Sequence, residues 1–581
     1  MRNASTGQGP RRLVQNALMF MDTLKPRRFA ALAAAALITV APAIGQPAAS
    51  SAAAPPAATL AEVDKAFARW NSTSLPGCAV GVSRDGRPLL TRAYGMADLE
   101  HGIANQPDSI IEAGSVSKQF TAAAVLLLVQ QGKVALDDPA RKYIPELPDY
   151  GTPLTVRHLL THTSGLRDWG AVEDIVGWPR TSRTYTHAHV LDIVSRQKAT
   201  NFPPGSAYSY SNTGYNLAAI LVSRVSGRSF ADFTREMLFE PLGMTRTSWR
   251  DDFTRVVRDR SIAYAVSPSG AVSMDMPFEN VHGNGGLLTT VSDLLKWNDN
   301  AVHARVGGRG LIELQRETMR LTGGEKIEYA FGLRVSAWKG VPEVAHSGAT
   351  AGYRAWLGQY PTKHLSVAVL CNAGNAGAPG LGHQVADLFL DLKAAAPVAS
   401  SAPLVAEARL REIAGLYRNQ RRNDVMTVAF QGGELRIAGA GTLRPVSQDA
   451  FLAGDARFEV DRDAKGVVRG VRVAAGGEVF AFDRVEPANP TAADLAAFTG
   501  EYASDEAEMV LRVAVEDGKL VIHRRPDTKI ALTPTFADAF RSELGGIRFL
   551  RGPRGIVTEM SVSQDRVWDL RFARDRAARK P

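Results

Sequence analysis

Apolar residues recur at helical spacing over Leu60–Trp70, and the pattern then changes character. Cys78–Val82 and Pro88–Tyr94 are short apolar-rich runs on either side of Asp85-Gly86, a dipeptide that favours a tight reversal, so they predict a β-hairpin. Gln119–Gln131 is apolar almost all round (Phe120, Ala122–Val129) and closes at Gly132, which predicts a buried helix. Leu217–Val225 predicts another apolar helix. Strands are predicted again late in the segment, at Phe331–Ser336, Glu343–Ala345, Arg354–Tyr360 and Leu365–Cys371. Strands at both ends, helices in the middle and no βαβ rhythm predict one sheet built from both ends of a segment that closes near Leu392.

Beyond Ala394–Ala408, an Ala/Pro/Ser-rich linker, the pattern becomes short strands between Gly-rich and Asp-rich turns, and it repeats. Gly415-Leu-Tyr417 matches Gly500-Glu-Tyr502, and Gly433-Glu-Leu-Arg-Ile437 matches Gly518-Lys-Leu-Val-Ile522, both 85 residues apart. Asp449-Ala-Phe451 matches Asp538-Ala-Phe540, and Gly470–Val473 parallels Glu559–Val562, both 89 apart. Markers in one order with so little drift predict two copies of a small all-β unit, over 409–487 and 492–574. Barrel-like closure is expected, because it removes exposed strand edges. Two copies are too few for a solenoid.

The chain has 581 residues, 45% of them hydrophobic, and a formal net charge of +9. The charge is lopsided: residues 1–45 hold Arg2, Arg11, Arg12, Lys25, Arg27 and Arg28 against the single acid Asp22. No dense basic run follows, so nucleic acid is not an expected partner. Lys25–Arg28, the apolar run Phe29–Ala41 and the small residues Ala43-Ile-Gly45 read as an export signal over 1–45, cleaved before Gln46, with a start at Met19 or Met21 giving the more usual n-region. The run is shorter than the ~20 residues of a spanning helix and is interrupted by Pro42, so no stable membrane anchor is expected after cleavage. Residues 46–58 form a tether, and the mature protein is expected to be periplasmic or secreted. Only two cysteines occur, Cys78 and Cys371; buried free thiols are the default, a disulfide is open to an exported protein, and the spacing does not decide pairing.

Three clusters carry candidate chemistry. Ser115-Val-Ser-Lys118 opens the buried helix, with the positive end of a helix dipole behind the serine and the lysine one turn along the same face. A lysine desolvated there loses proton affinity and can take the serine's proton. A second S-x-x-K, Ser195–Lys198, lies on a polar amphipathic segment and reads as surface. Tyr210-Ser-Asn212 leads into the helix Leu217–Val225; a phenol beside a lysine ammonium has its pKa lowered and relays protons, and the Asn212 amide can orient the lysine and a substrate carbonyl. His346-Ser-Gly348 lies in a late strand, where Gly348 permits close approach of substrate and the Ala349 amide can pair with that of Ser115 as an oxyanion hole.

Together, Ser115/Lys118, Tyr210/Asn212 and His346-Ser-Gly348 occur in the order of the three motifs of serine β-lactamases and penicillin-binding enzymes. Leu159–Leu166 (LLTHTSGL), Glu240–Met244 and Gly285–Asp293 resemble landmarks of the class C-like branch. The resemblance covers roughly 60–392 and implies a β-lactamase/transpeptidase-like catalytic domain over 59–393: an antiparallel sheet flanked by helices, with a helical subdomain, followed by the two barrel-like units. It implies an acyl-enzyme serine hydrolase needing no cofactor or metal, with Ser115, Lys118 and Tyr210 catalytic and Asn212, His346, Gly348 and Ala349 contacting substrate. One departure is that His346 stands where many relatives carry the lysine of Lys-Thr-Gly, and an unperturbed histidine is mostly neutral at pH 7. With Gly500–Glu506 in the second unit, this looks most like bacterial D-aminopeptidases, acting on small peptides or amides with D-residues, peptidoglycan fragments among them. A carboxylesterase, a β-lactamase or DD-peptidase, and a non-hydrolytic cell-wall peptide or β-lactam receptor are the alternatives. His158 and His162 have zinc-ligand spacing on a predicted helix but lack the glutamate between them and a third ligand. Gly283–Gly286 lacks the following Lys-Ser/Thr of a phosphate loop, Thr163–Gly165 reads as turn chemistry, and Asp168 and Trp169 are placed at the pocket mouth.

Overall fold

The computed structural model describes residues 55–575 apart from 181, 391, 393–403, 440, 455 and 476–477. The expected signal, most of the tether and most of the linker lie outside the described residues. Among the described residues no helix is long and apolar enough to cross a membrane.

Cys78–Arg84 and Arg87–Tyr94 form the expected hairpin, with Asp85 (φ 51°) and Gly86 (φ 73°) both in the left-handed region that a two-residue hairpin turn requires. This hairpin joins four late strands in a six-stranded antiparallel sheet, in the order Arg334–Trp338, Val341–Thr350, Tyr353–Tyr360, Leu365–Cys371, Cys78–Arg84, Arg87–Tyr94. The sheet is therefore built from both ends of the segment, as the pattern predicts. Alternation sorts its residues between two layers. Val80, Val82, Val367 and Val369 pack with Val63, Phe67 and Val385 from the helices Ala57–Ala66, its continuation and Ala378–Phe389. Ala79, Ala368 and Leu370 face Val291 and Leu294 of the helix Val291–His303. Gly81 lets that helix close down, since a Cβ there would lie 2.9 Å from Leu295 Cδ1.

Two expectations need correction. The strand predicted from Phe331 begins only at Arg334, because Gly332 has φ 77° and is pressed against the helix Lys118–Gln130; a Cβ on it would sit 2.6 Å from the Lys118 carbonyl oxygen. Cys78 and Cys371 are not free thiols: they face each other in register on neighbouring strands and form a disulfide.

The two C-terminal units are built as duplicates. The first is a closed eight-stranded barrel from Gly415–Asn419 to Glu478–Val485, closed by pairing of its first and last strands. The second, from Gly500–Ser504 to Leu570–Arg574, is a nine-stranded sheet whose edge strands, Thr528–Ala531 and Thr533–Pro534, are separated in sequence only by Leu532. Each is preceded by a seven-residue helix, Glu407–Ile413 and Ala492–Phe498; the first of these begins inside the expected linker and contributes Leu410 and Ile413 to the barrel core. The repeat extends to side-chain detail. Tyr417 donates to the Ile413 carbonyl and Tyr502 to the Phe498 carbonyl, while Arg462 pairs with Asp449 as Arg551 pairs with Asp538.

Candidate active site

Every residue from Lys118 to Leu128 is buried, so the helix Lys118–Gln130 runs through the core with its N-terminus beneath the sheet. Ser115 stands just before it in a 3₁₀ turn, Gly114–Ser117, entered through Gly114 at φ 49°. That turn and the strand Val341–Thr350 touch through backbone. A Cβ on Gly348 would lie 2.0 Å from the Ala113 oxygen and 3.0 Å from the Ser115 nitrogen, and one on Gly114 would lie 2.7 Å from the Ala349 nitrogen. Glycine is required on both sides, which brings the Ser115 and Ala349 amides together. Gly348→Ala is expected to lower kcat/KM by about 100-fold or more through displacement of the nucleophile turn; wild-type acylation rates in the variant would refute this role.

Lys118 is fully buried, and its Nζ lies 3.1 Å from Ser115 Oγ, 2.9 Å from Asn212 Oδ1 and 2.6 Å from the Asn284 carbonyl oxygen. Burial pushes its pKa well below the ordinary lysine value, helped by the charges of Arg566 and Arg180 and opposed by Asp168. Tyr210 hydrogen-bonds Ser115, and Lys118 Nζ sits 4.8 Å from its ring centre. The expected lowering of the Tyr210 pKa is overturned: burial outweighs the Ser115 hydrogen bond and the Arg566 charge, so the phenol is pushed well up and keeps its proton at neutral pH.

Asn212 begins the helix Asn212–Ser226; its backbone N–H donates to Asp168 Oδ2 at 2.7 Å, and its side chain faces Lys118. His346 lines the cavity wall, but both ring nitrogens are engaged internally, Nε2 with the Tyr329 hydroxyl at 2.8 Å and Nδ1 with the Ser347 carbonyl at 2.6 Å. Burial lowers its pKa to about 3, with Lys118 as a further cause, so it is a neutral wall. The cavity measures about 640 Å³ and contains Ser115, Tyr210, Asn212, His346, Gly348 and Ala349 among its walls.

Several placements differ from the sequence reading. Asp168 and Trp169 do not reach the mouth; Asp168 caps the helix Trp169–Ile175 and anchors Asn212, while Trp169 is buried with its indole N–H on Asn216. His158 and His162 share no helix face. His158 closes a capping box with Thr155, whereas His162, past the helix end at φ 59°, accepts from the Ser211 N–H and packs tilted against Tyr210, ring centres 4.1 Å apart. Ser195 and Lys198, by contrast, are exposed as expected, the lysine pairing with Asp505. The Gly283–Gly286 loop joins the site through the Asn284 carbonyl, a backbone role that no side-chain motif signals. Arg566, from the second β unit, also lines the cavity.

A family model described as Beta-lactamase matches residues 60–388. A D-aminopeptidase of Cereibacter sphaeroides is 29% identical over 455 residues, covering 76% of this chain and 82% of that protein. Penicillin-binding protein 4* of Bacillus subtilis is 29% identical over 312 residues, covering 50% of this chain and 67% of its own length. Among solved structures, the octameric penicillin-binding protein homologue from Pyrococcus abyssi has a TM-score of 0.51 at 23% identity, covering 81% of this chain and 98% of that one, a likeness of fold.

Proposed function

The chain belongs to the β-lactamase family and is a serine hydrolase, and from that premise we propose that it cleaves small amides and peptides of D-residues outside the cytoplasm, through an acyl-enzyme on Ser115. The observation that carries the reading is the Ser115–Lys118 pair: a nucleophile 3.1 Å from a buried lysine whose proton affinity is strongly reduced. In the proposed route neutral Lys118 takes the Ser115 proton as Oγ attacks the substrate carbonyl. The Ser115 and Ala349 amides receive the oxyanion, and the Asn212 side chain orients lysine and carbonyl. Lys118 returns the proton through the Tyr210 phenol to the leaving nitrogen, and water then cleaves the Ser115 ester.

The D-residue preference rests on the relationship to the Cereibacter D-aminopeptidase, which spans most of both chains. Export rests on the basic and apolar run ahead of Gln46 and agrees with the Cys78–Cys371 disulfide, since such bonds persist in oxidising compartments.

The test is turnover by protein starting at Gln46 on D- and L-alanyl p-nitroanilides, p-nitrophenyl acetate and butyrate, and nitrocefin. The D-anilide is expected to be turned over at least about tenfold faster than the L-anilide, the ~1.4 kcal/mol that one misplaced contact in a pocket supplies. Activity on the short esters alone would make the protein an esterase, and a single burst without turnover would make it a receptor.

A further inference from the structure

The second β unit completes the cavity. Its turn between the strands Val557–Ser563 and Leu570–Arg574 is held on both flanks by the catalytic domain. Asn201 clamps the turn backbone, donating from Nδ2 to the Arg566 carbonyl at 3.1 Å and accepting the Trp568 N–H on Oδ1 at 2.8 Å. Trp568 is buried against Phe202, and the buried Arg167 pairs with Glu506 at 2.6 Å while also donating to the Trp568 and Asp569 carbonyls. With its backbone fixed, Arg566 extends its guanidinium over the Tyr210 ring, 4.9 Å from the ring centre.

The charges facing the cavity are unbalanced. Among the described residues its one lining carboxylate is Glu343, whose Oε2 is engaged by the Tyr360 hydroxyl and His383 Nε2, each at 2.8 Å. Asp168, behind the wall, is occupied by the backbone N–H groups of Gly170, Ala171 and Asn212. His346 is neutral and internally bonded. Among the cationic walls, Arg180 is paired with Glu279, Arg334 with Glu328, and Arg354 donates to the Ala351 and Tyr353 carbonyls. Arg566 differs. Among the described residues its guanidinium makes no hydrogen bond, and its nearest carboxylate oxygens, on Asp168 and Asp565, are both 3.9 Å away. A planar fork of five donors, half-buried and held near two carboxylates only by ion pairs too long for hydrogen bonds, keeps its N–H groups for an incoming carboxylate.

We propose that Arg566 is a specificity-determining residue that binds a carboxylate carried by the substrate on its leaving-group side. The side follows from the neighbour: Tyr210 delivers the proton to the leaving nitrogen in the route above, and Arg566 lies on the Tyr210 ring. This inference rests on the amide-hydrolase reading and narrows it to short substrates ending in a free carboxylate close to the scissile bond.

The experiment compares D-alanyl-glycine with D-alanyl-glycinamide, which differ only in that carboxylate, for the wild type, Arg566→Gln and Arg566→Lys. The wild type is expected to favour the free acid in kcat/KM by about 10- to 100-fold, the range of a hydrogen-bonded charge pair. In Arg566→Gln the ratio falls to within about threefold of one, and Arg566→Lys, charged but without the fork, lies between. Equal rates on acid and amide by wild type, or an unchanged ratio in Arg566→Gln, overturn the role of Arg566 while leaving D-amide hydrolysis standing. No turnover of either compound by an enzyme that cleaves the D-anilide also overturns the role of Arg566 alone, whereas no turnover of the D-anilide as well removes both readings.

Discussion

Ser115→Ala lowers turnover of every productive substrate by at least about 10⁴-fold, because Ser115 carries the cavity hydroxyl that is hydrogen-bonded to Lys118. Lys118→Met is expected to cost a similar factor, and the double variant to be little worse than either single one, since the two side chains act as a unit. Quenched reactions with a slowly released acyl group report the same event by mass, as an adduct on the Ser115 peptide that Ser115→Ala lacks. A Ser115→Ala protein as active as wild type would remove Ser115 from the chemistry. The pH profile supplies a second reading. Lys118 must be deprotonated to act as base, so kcat/KM rises with pH through its pKa and levels off above it. Burial, then the Arg566 charge, place that limb well below the ordinary lysine range. Arg566→Gln therefore moves the limb to higher pH, whereas His346, held near 3, adds no limb around neutrality.

Arg250→Ala is expected to destabilise the catalytic domain by about 3–5 kcal/mol, the cost of stranding one partner of a buried ion pair. Glu112 is completely buried and receives Arg250 Nε at 2.8 Å and a terminal guanidinium nitrogen at 3.1 Å, with Arg260 3.6 Å away. Glu112 lies on the short strand leading into the Ser115 turn, so the loss disturbs the ground on which the nucleophile stands. The pH dependence has a definite sign. Burial raises the Glu112 pKa, but the charge and hydrogen bonds of Arg250, with Arg260, outweigh it, and the carboxyl is lowered overall. A lowered carboxyl contributes its stability in full above the unfolded pKa of ~4.3 and loses it as pH falls through the folded value. The difference between wild type and Arg250→Ala, measured by denaturant unfolding, is thus largest at pH 7 and shrinks in acid. A difference independent of pH would mean that packing, not charge, accounts for the loss.

Local pattern and spacing determined a large part of this protein. Ser115 and Lys118 are three residues apart at the head of a uniformly apolar helix, and helical geometry alone puts them on one face. Asp85-Gly86 dictates its own hairpin, and the offsets of 85 and 89 residues announce two copies of one β unit, down to the paired Tyr417 and Tyr502. The order of the three motifs sufficed to place the family. Tertiary structure alone decided the rest, because each remaining feature depends on groups far apart in sequence or on environment. Cys78 and Cys371 meet only because the first strand pairs with the last, across a separation of 293 residues. Asn284 acts through a carbonyl, and any residue has one. The Tyr210 phenol keeps its proton because burial outweighs its charged neighbours, a balance that composition does not reveal. Arg566 looks like a turn residue in a remote β unit, and it enters the cavity only when Asn201, Arg167 and Trp568 lock the two domains together. Sequence specifies short-range geometry directly, whereas desolvation and long-range contact exist only once the chain has closed on itself.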